Sequence, residues 1–324
     1  MRIAILGAGS LGSLVAAYLA RAGNDVLLLA KPSQVPALET YGVTVGGLDQ
    51  FTVRVPVTAE PAGLGRVDYL LVAVKTRDTV TALQGLGDLD VGVTASLQNG
   101  VVKDEQLIDR FGADRVVGAA TILGATMQAP GVVEHTMNGP TYFGEFDGRS
   151  SERVAWLVER FVQSGLPAEA TAEVQSVEWS KLCQICAAAL LSALTRLEYV
   201  KILKEPDLAS LFVQINREVA AVARASGVEV GDYPGFEVRT LVDAPQEEAM
   251  ASVRERARRL EARGMTSVRI SMLQDILRGR RTEVEETAGY VVRRAEALGV
   301  DVPGLRFAYR VVRGLDSYLD GEGR

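Results

Sequence analysis

Residues 2–21 constrain the fold more than any other stretch. Arg2-Ile-Ala-Ile-Leu6 is a short aliphatic run, Gly7-Ala8-Gly9-Ser10-Leu11-Gly12 follows at once, and Ser13–Arg21 continues with Leu14, Ala17 and Tyr18 at helical spacing. A Gly-x-Gly-x-x-Gly set directly between a strand and a helix has a physical reading for each glycine. The first allows a tight turn, the second lets a pyrophosphate approach the backbone, and the third lets helix and strand pack closely. The amides at the helix start then face an anion. The same string in another context is only a glycine-rich turn, so the flanking strand and helix carry the inference.

The pattern that follows agrees with this start. Gly23-Asn24 suits a helix C-terminus, and Asp25 leads into Val26–Leu29, a continuous apolar strand of the kind buried on both faces of a parallel sheet. Val67–Val74 and Val91–Leu97 read as strands, and Asp78–Leu83 and Lys103–Phe111 as helices. Strands alternating with helices predict an α/β fold with a doubly wound, Rossmann-type sheet. Between residues 115 and 147 glycines punctuate strand-like pieces, Gly131–Thr136 and Thr141–Phe146 among them, which predict an antiparallel extension. Ser151–Gln163 reads as a helix with Val154, Leu157, Val158 and Phe161 inward. Beyond Thr171 the spacing is helical over about 173–195, 206–226, 246–263, 271–278 and 282–298. The expected organisation is a dinucleotide-binding domain over 1–170 and an all-helical domain over 171–324.

Composition removes other classes. The chain has 324 residues, 35 Lys plus Arg against 41 Asp plus Glu, and a net charge of −6. That balance argues against a nucleic-acid partner, which needs a concentrated positive face. There is one histidine, His135, and two cysteines, Cys183 and Cys186, too few ligands for a zinc site, so no metal is expected. The Cys-x-x-Cys lies among Leu182, Ile185, Ala187 and Leu190 and reads as two buried helix cysteines. The apolar run around Ile185–Leu194 is short for a membrane span, and Met1 leads directly into a strand rather than a leader. The expected setting is cytoplasmic.

Polar residues at informative positions supply the candidate site. Ala30-Lys31 follows the second strand where an NAD-binding chain typically carries an acid for the ribose hydroxyls, and the next acid is Glu39. A cation there suits a 2′-phosphate, so NADP(H) is the expected cofactor. Lys75 and Asn99 stand where two further strands should end, the side on which open α/β sheets bind ligands. Lys181 is the only charge between Glu178 and Thr195 in an otherwise apolar helix, and its alternative reading is a snorkelling lysine. Ser271-Met-Leu-Gln274 and Thr282-Val-Glu-Glu285 both match a capping box. Ser271 then reads as a helix cap and Glu283 as a first-turn acid, although a helix start with a hydroxyl also suits a carboxylate.

Taken together, the chain resembles the ketopantoate reductases, the 2-dehydropantoate 2-reductase family. The resemblance rests on Gly7–Gly12, Val72-Ala-Val-Lys-Thr76, Gln98-Asn-Gly100, Trp179-Ser-Lys-Leu182, and Ser271-Met-Leu-Gln-Asp275 followed by Gly279-Arg-Arg-Thr-Glu283. It implies a Rossmann domain, a helical domain and an active site between them. It further implies that Lys181 is the catalytic lysine that protonates the substrate oxygen, and that Glu283 orders cofactor and substrate. By the same resemblance Ser271 contacts the substrate carboxylate, Asn99 lies near nicotinamide and substrate, and Lys75 contacts the cofactor. Lys31 stands where the family usually has an arginine for the 2′-phosphate. One departure matters: asparagines usual in the family four and eight residues after the lysine are here Ile185 and Ala189. Those positions share a helix face with Lys181, so a pocket wall that is polar in the family is apolar here.

Three functions follow as expectations. The first is NADPH-dependent reduction of 2-dehydropantoate to pantoate, in pantothenate biosynthesis. The second is reduction of a different, more apolar 2-oxo acid or ketone. The third is a non-catalytic NADP(H) sensor. A homodimer is the expected assembly, on the resemblance alone.

Overall fold

The structure, a computed structural model, describes residues 1–322. It divides into two compact units, one of residues 1–99 and 103–175 and one of residues 100–102 and 176–324.

In the first unit the chain runs β1 (Arg2–Leu6), α1 (Ser10–Arg21), β2 (Asp25–Leu29), α2 (Val35–Tyr41), β3 (Val43–Gly47), β4 (Phe51–Val53) and β5 (Val57–Thr58). It continues through β6 (Arg66–Val72), α3 (Thr79–Gln84), β7 (Asp90–Ser96), α4 (Val102–Phe111), β8 (Val116–Ala129), β9 (Val132–Gly144), α5 (Glu152–Ser164) and β10 (Ala168–Ala170). The sheet order is β4-β3-β9-β8-β7-β6-β1-β2-β5, with β10 beside β9. From β5 to β8 every pairing is parallel. The order reverses at β1, which has β2 on one side and β6 on the other, and the crevice outside the carboxyl ends at such a switch point is where α/β sheets bind ligands.

The period of two along β1 explains why Ile3, Ala4, Ile5 and Leu6 are all apolar. Ile3 and Ile5 point into a core shared with Leu14, Tyr18 and Phe161, whereas Ala4 and Leu6 point into a second core with Leu70, Leu83 and Leu107. A strand covered by helices on both faces has no position left for a polar residue. Trp156 of α5 stacks on Tyr69 of β6 with ring centroids 4.3 Å apart.

β8 and β9 pair antiparallel, as expected of the extension. The pieces at 131–136 and 141–146 are, however, parts of one 13-residue strand, β9, against the 14-residue β8. Asn138-Gly139-Pro140 reads as a break in sequence, yet the ladder absorbs it through register shifts beside Leu123 and Gly124. Val158 of α5 is half-buried rather than fully inward.

Among the described residues the second unit is helical except for a ribbon of two short strands. Its elements are α6 (Val174–Thr195), α7 (Tyr199–Lys204), α8 (Pro206–Ala225), β11 (Asp232–Tyr233), β12 (Phe236–Glu237), α9 (Arg239–Asp243), α10 (Gln246–Ala262), α11 (Ser271–Leu277), α12 (Tyr290–Leu298) and α13 (Pro303–Glu322). The 20-residue α13 lies beyond the last helix expected from the sequence spacing. α6 is 22 residues long with an 18-residue window of mean hydropathy 1.3, long and apolar enough by composition to cross a membrane, but 83% of that window is buried.

Two expected caps form differently. Helix α11 starts with Ser271 already inside it and Ile270 at the cap position, and the Gln274 amide donates to Arg269 O at 2.8 Å, so no capping box closes on Ser271. At Thr282 the backbone N–H and the hydroxyl donate to the Asp316 carboxylate, the hydroxyl at 2.7 Å. Glu285, the acid the box requires, is bound instead by Tyr309 and Arg293, each at 2.9 Å. The expected helix over 282–298 opens with a π-helical turn at Glu285–Gly289, in which Gly289 N–H reaches Val284 O.

Candidate active site

The glycine loop is built for close approach. Gly7 holds φ +114°, and its N–H donates to Leu29 O at 2.9 Å. A Cβ on Gly7 would lie 2.8 Å from Val74 N, and a Cβ on Gly12 would lie 1.9 Å from Gly7 O. Gly9 is exposed, and a Cβ there would meet nothing nearer than Ala73 O at 3.9 Å. Gly7 is therefore fixed by packing against Ala73 and Val74, just past β6, and Gly12 by packing against Gly7 and Ala73, whereas Gly9 leaves its backbone open to a ligand. Gly9 is also the cap of α1, with no side-chain cap and no acid in the first turn. The first intrahelical bond is Ser13 N–H to Gly9 O, so the amides of Ser10, Leu11 and Gly12 precede the helix ladder. An uncapped helix start beside an exposed glycine suits a pyrophosphate.

Hydrogen-bonding side chains hold this loop and the strand ends beside it, and of these Gln34 carries no signal in the sequence motifs. Gln34 donates to Ala8 O at 2.9 Å and accepts from Lys31 N–H at 3.3 Å, linking the loop to the segment after β2. Ser10 Oγ accepts from Met127 N–H at 3.0 Å, which fixes α1 to β8. Buried Gln98 donates to Val74 O and to Thr79 Oγ1, both at 2.7 Å, and joins the ends of β6 and β7. The hydroxyl of Thr76 donates to Asn99 O at 3.2 Å. Lys75 and Asn99 thus stand, half-buried, on two strand ends that are cross-linked to each other. Polar residues just past an apolar strand are the sequence signal that marks Gln98 and Thr76.

Lys31 is exposed after β2, and its Nζ lies 4.0 Å from Asp78 Oδ2. Asp78 is also 3.7 Å from Arg77 Nε. Glu39 is the next acid along the chain, but Asp78 is the acid that folding brings to Lys31.

The other candidate residues lie in the second unit. Lys181 on α6 is 8% exposed. Ile185, one turn on, is half-buried, and Ala189, two turns on, is 3% exposed. Gln184, the nearest amide in sequence, is committed elsewhere: it donates to Glu237 O at 3.1 Å and accepts from buried Arg256 at 2.7 Å. Ser180 accepts from Gly231 N–H at 2.8 Å, which holds the helix to the ribbon. Cys183 and Cys186 are fully buried free thiols whose pKa values burial pushes up, so neither is a nucleophile.

Glu283 is half-buried, just before the π-helical turn, and its carbonyl accepts from both the N–H and the hydroxyl of Thr287. Such turns are frequent at functional sites. Glu286, three residues on, has one carboxyl oxygen buried without a partner, and its pKa is raised, first by burial and then by Glu283. Ser271 is exposed at the start of α11. His135 lies in the first unit. Its ring, 1% exposed, meets Tyr18 Oη at 2.8 Å and Met137 O at 3.1 Å, and burial lowers its pKa.

The comparisons with known proteins cover both units. Residues 3–148 match the model of ketopantoate reductase PanE/ApbA, and residues 173–316 match the model of its C-terminal domain. The chain belongs to the ketopantoate reductase family. It is similar to the 2-dehydropantoate 2-reductase of Archaeoglobus fulgidus, with 34% identity over 319 residues, 98% of this chain and 99% of the relative. A crystal structure of a PanE/ApbA family ketopantoate reductase from Ralstonia eutropha JMP134 superposes with a TM-score of 0.83 at 30% identity, covering 99% of this chain and 100% of that one. The fold is also that of a D-mandelate dehydrogenase solved with NADH and anilino(oxo)acetate, with a TM-score of 0.84 at 20% identity, covering 99% of this chain and 100% of that one. Membership and the names of the relatives make the chain an oxidoreductase acting on a CH–OH group.

Proposed function

We propose that the protein reduces a 2-oxo acid to the 2-hydroxy acid with NADPH. The first unit, through Gly7–Gly12, Lys31, Lys75 and Asn99, holds the cofactor. The second, through Lys181, Glu283 and Ser271, handles the substrate. When bound, the dinucleotide supplies the hydride that goes to the carbonyl carbon. The developing alkoxide needs a proton and positive charge, and the Lys181 ammonium can give both, as general acid and as electrostatic stabiliser. The balance is one hydride and one proton added across C=O, leaving NADP⁺ and a hydroxyl. Glu283 positions the lysine and the substrate, and Ser271 meets the substrate carboxylate. The observation that carries this reading is Lys181 itself: a lysine 8% exposed on a helix with no other charge from Leu182 to Thr195. Neither Cys183, Cys186 nor His135 offers an alternative proton donor.

The test is Lys181→Ala. It should lower kcat by about 10²–10⁴-fold, the usual worth of a general acid, while NADPH affinity changes little, since the group acts mainly in the transition state. A variant that kept near-parental kcat would make Lys181 a packing residue.

The names of the relatives favour ketopantoate as substrate and pantoate as product. A second reading, a more apolar 2-oxo acid or ketone, is supported by one observation. The helix face one and two turns beyond Lys181 carries Ile185 and Ala189, and the neighbouring amide, Gln184, is bound by Arg256 and Glu237.

A further inference from the structure

Three charged side chains gather outside the carboxyl ends of β2 and β6: Lys31, Arg77 and Asp78. Only the last is acidic. Asp78 is half-buried at the start of α3, its side chain 43% exposed, 4.0 Å from Lys31 Nζ and 3.7 Å from Arg77 Nε. It is the cap residue of α3 yet makes no side-chain cap hydrogen bond. Its carboxylate therefore has no helix-capping duty and faces the cation that follows β2.

We infer that Asp78 is a coenzyme-selectivity residue that narrows the chain's preference for NADPH and lets NADH compete. This rests on the proposed reading of Lys31 as the adenosine-ribose end of the cofactor site. The residue after β2 is the one that reads the ribose 2′ position in this kind of sheet. A 2′-phosphate arriving at Lys31 carries a charge between about −1 and −2, and it must share the lysine with a carboxylate about 4 Å away. A 2′-hydroxyl arriving at the same place meets no repulsion and can donate to that carboxylate, as it does to the acid of an NAD-binding site. One side chain thus acts with opposite sign on the two cofactors. For a carboxylate and a phosphate about 6 Å apart in a water-exposed setting, Coulomb's law gives a penalty of about 3- to 10-fold in affinity. Because the groups reach solvent, that penalty is screened at high salt.

Nicotinamide fluorescence titrations of the purified protein with NADPH and with NADH test this without turnover. Asp78→Asn should tighten NADPH about 3- to 10-fold at low salt, and leave NADH unchanged or a few-fold weaker. Asp78→Glu, which keeps the charge, should retain the parental ratio. At about 1 M salt, where the Debye length is about 3 Å, the gain for NADPH should shrink. A ratio of NADH to NADPH dissociation constants in Asp78→Asn within twofold of the parent at low salt would overturn the inference. Lys31→Ala tests the underlying reading separately. If it weakens both cofactors equally, Lys31 does not read the 2′-phosphate, whatever Asp78→Asn shows.

Discussion

Replacing Ile185 by Asn should move substrate preference toward a hydroxylated 2-oxo acid. Ile185 stands one helical turn beyond Lys181, about 6 Å along the axis at 1.5 Å per residue, and is half-buried on α6. Ketopantoate carries a hydroxyl near its carbonyl. Against an aliphatic wall that hydroxyl gives up water without gaining a partner, at about 1–3 kcal/mol, or about 5- to 150-fold in kcat/KM at 1.4 kcal/mol per decade. Gln184 does not relieve the cost, because its amide is held by Glu237 O and Arg256. The parent should therefore prefer the 2-oxo acid that differs from ketopantoate only in lacking the hydroxyl, and Ile185→Asn should raise the ketopantoate ratio by about 5-fold or more. Ala189 is 3% exposed, so adding Asn there overpacks the helix at about 1–3 kcal/mol. The double variant is accordingly judged beside its Tm, and the single variant carries the argument. The assay is steady-state NADPH oxidation with the two substrates. A parental kcat/KM for ketopantoate at least as high as for its deoxy analogue would refute the reasoning.

Three further outcomes follow from the geometry. Gly12→Ala sets a Cβ 1.9 Å from Gly7 O, so it should cost about 1–3 kcal/mol and weaken NADPH binding; a variant with parental Tm and affinity would show the loop to be slack. Asp316→Ala removes the carboxylate that accepts from Thr282 N–H and Oγ1 and should lower stability by about 1–3 kcal/mol, with kcat falling because the segment bearing Glu283 loses its anchor; an unchanged Tm in thermal denaturation would contradict it. The single histidine gives one imidazole NMR titration, expected below the ordinary 6.5 because His135 is buried. A depressed folded pKa means the unfolded chain binds more protons, so this contribution to stability is full above about pH 6.5 and is lost as pH falls through the folded pKa. His135→Phe should flatten that part of the stability curve, and a midpoint at or above 6.5 would contradict the assignment.

Much of this was legible because the physics is local. A strand, three glycines and a helix in 20 residues need no tertiary information, and neither does the apolar run of β2. Lys181 was visible as a lone charge in an apolar helix. Tertiary partners were not. Asp78 lies 47 residues from Lys31 in sequence, and only the parallel packing of β2, β1 and β6 brings them together. The capping boxes at Ser271 and Thr282 matched a local rule, yet Asp316, 34 residues on, supplies the partner for Thr282. The π-helical turn after Glu283 leaves no periodic trace over five residues. Glycine punctuation suggests two pieces where the structure has one strand, β9, and a long antiparallel partner overrides the break.

The central claim is catalysis, and one measurement addresses it most directly. NADPH is incubated with the purified protein and a panel of 2-oxo acids that includes ketopantoate and its deoxy analogue, and both NADPH loss and 2-hydroxy acid formation are followed. The account predicts one hydroxy acid formed per NADPH consumed for at least one member, with the rate collapsing in Lys181→Ala. Tight NADPH binding with no product from any member of the panel would contradict it and make the protein a cofactor-binding sensor rather than a reductase.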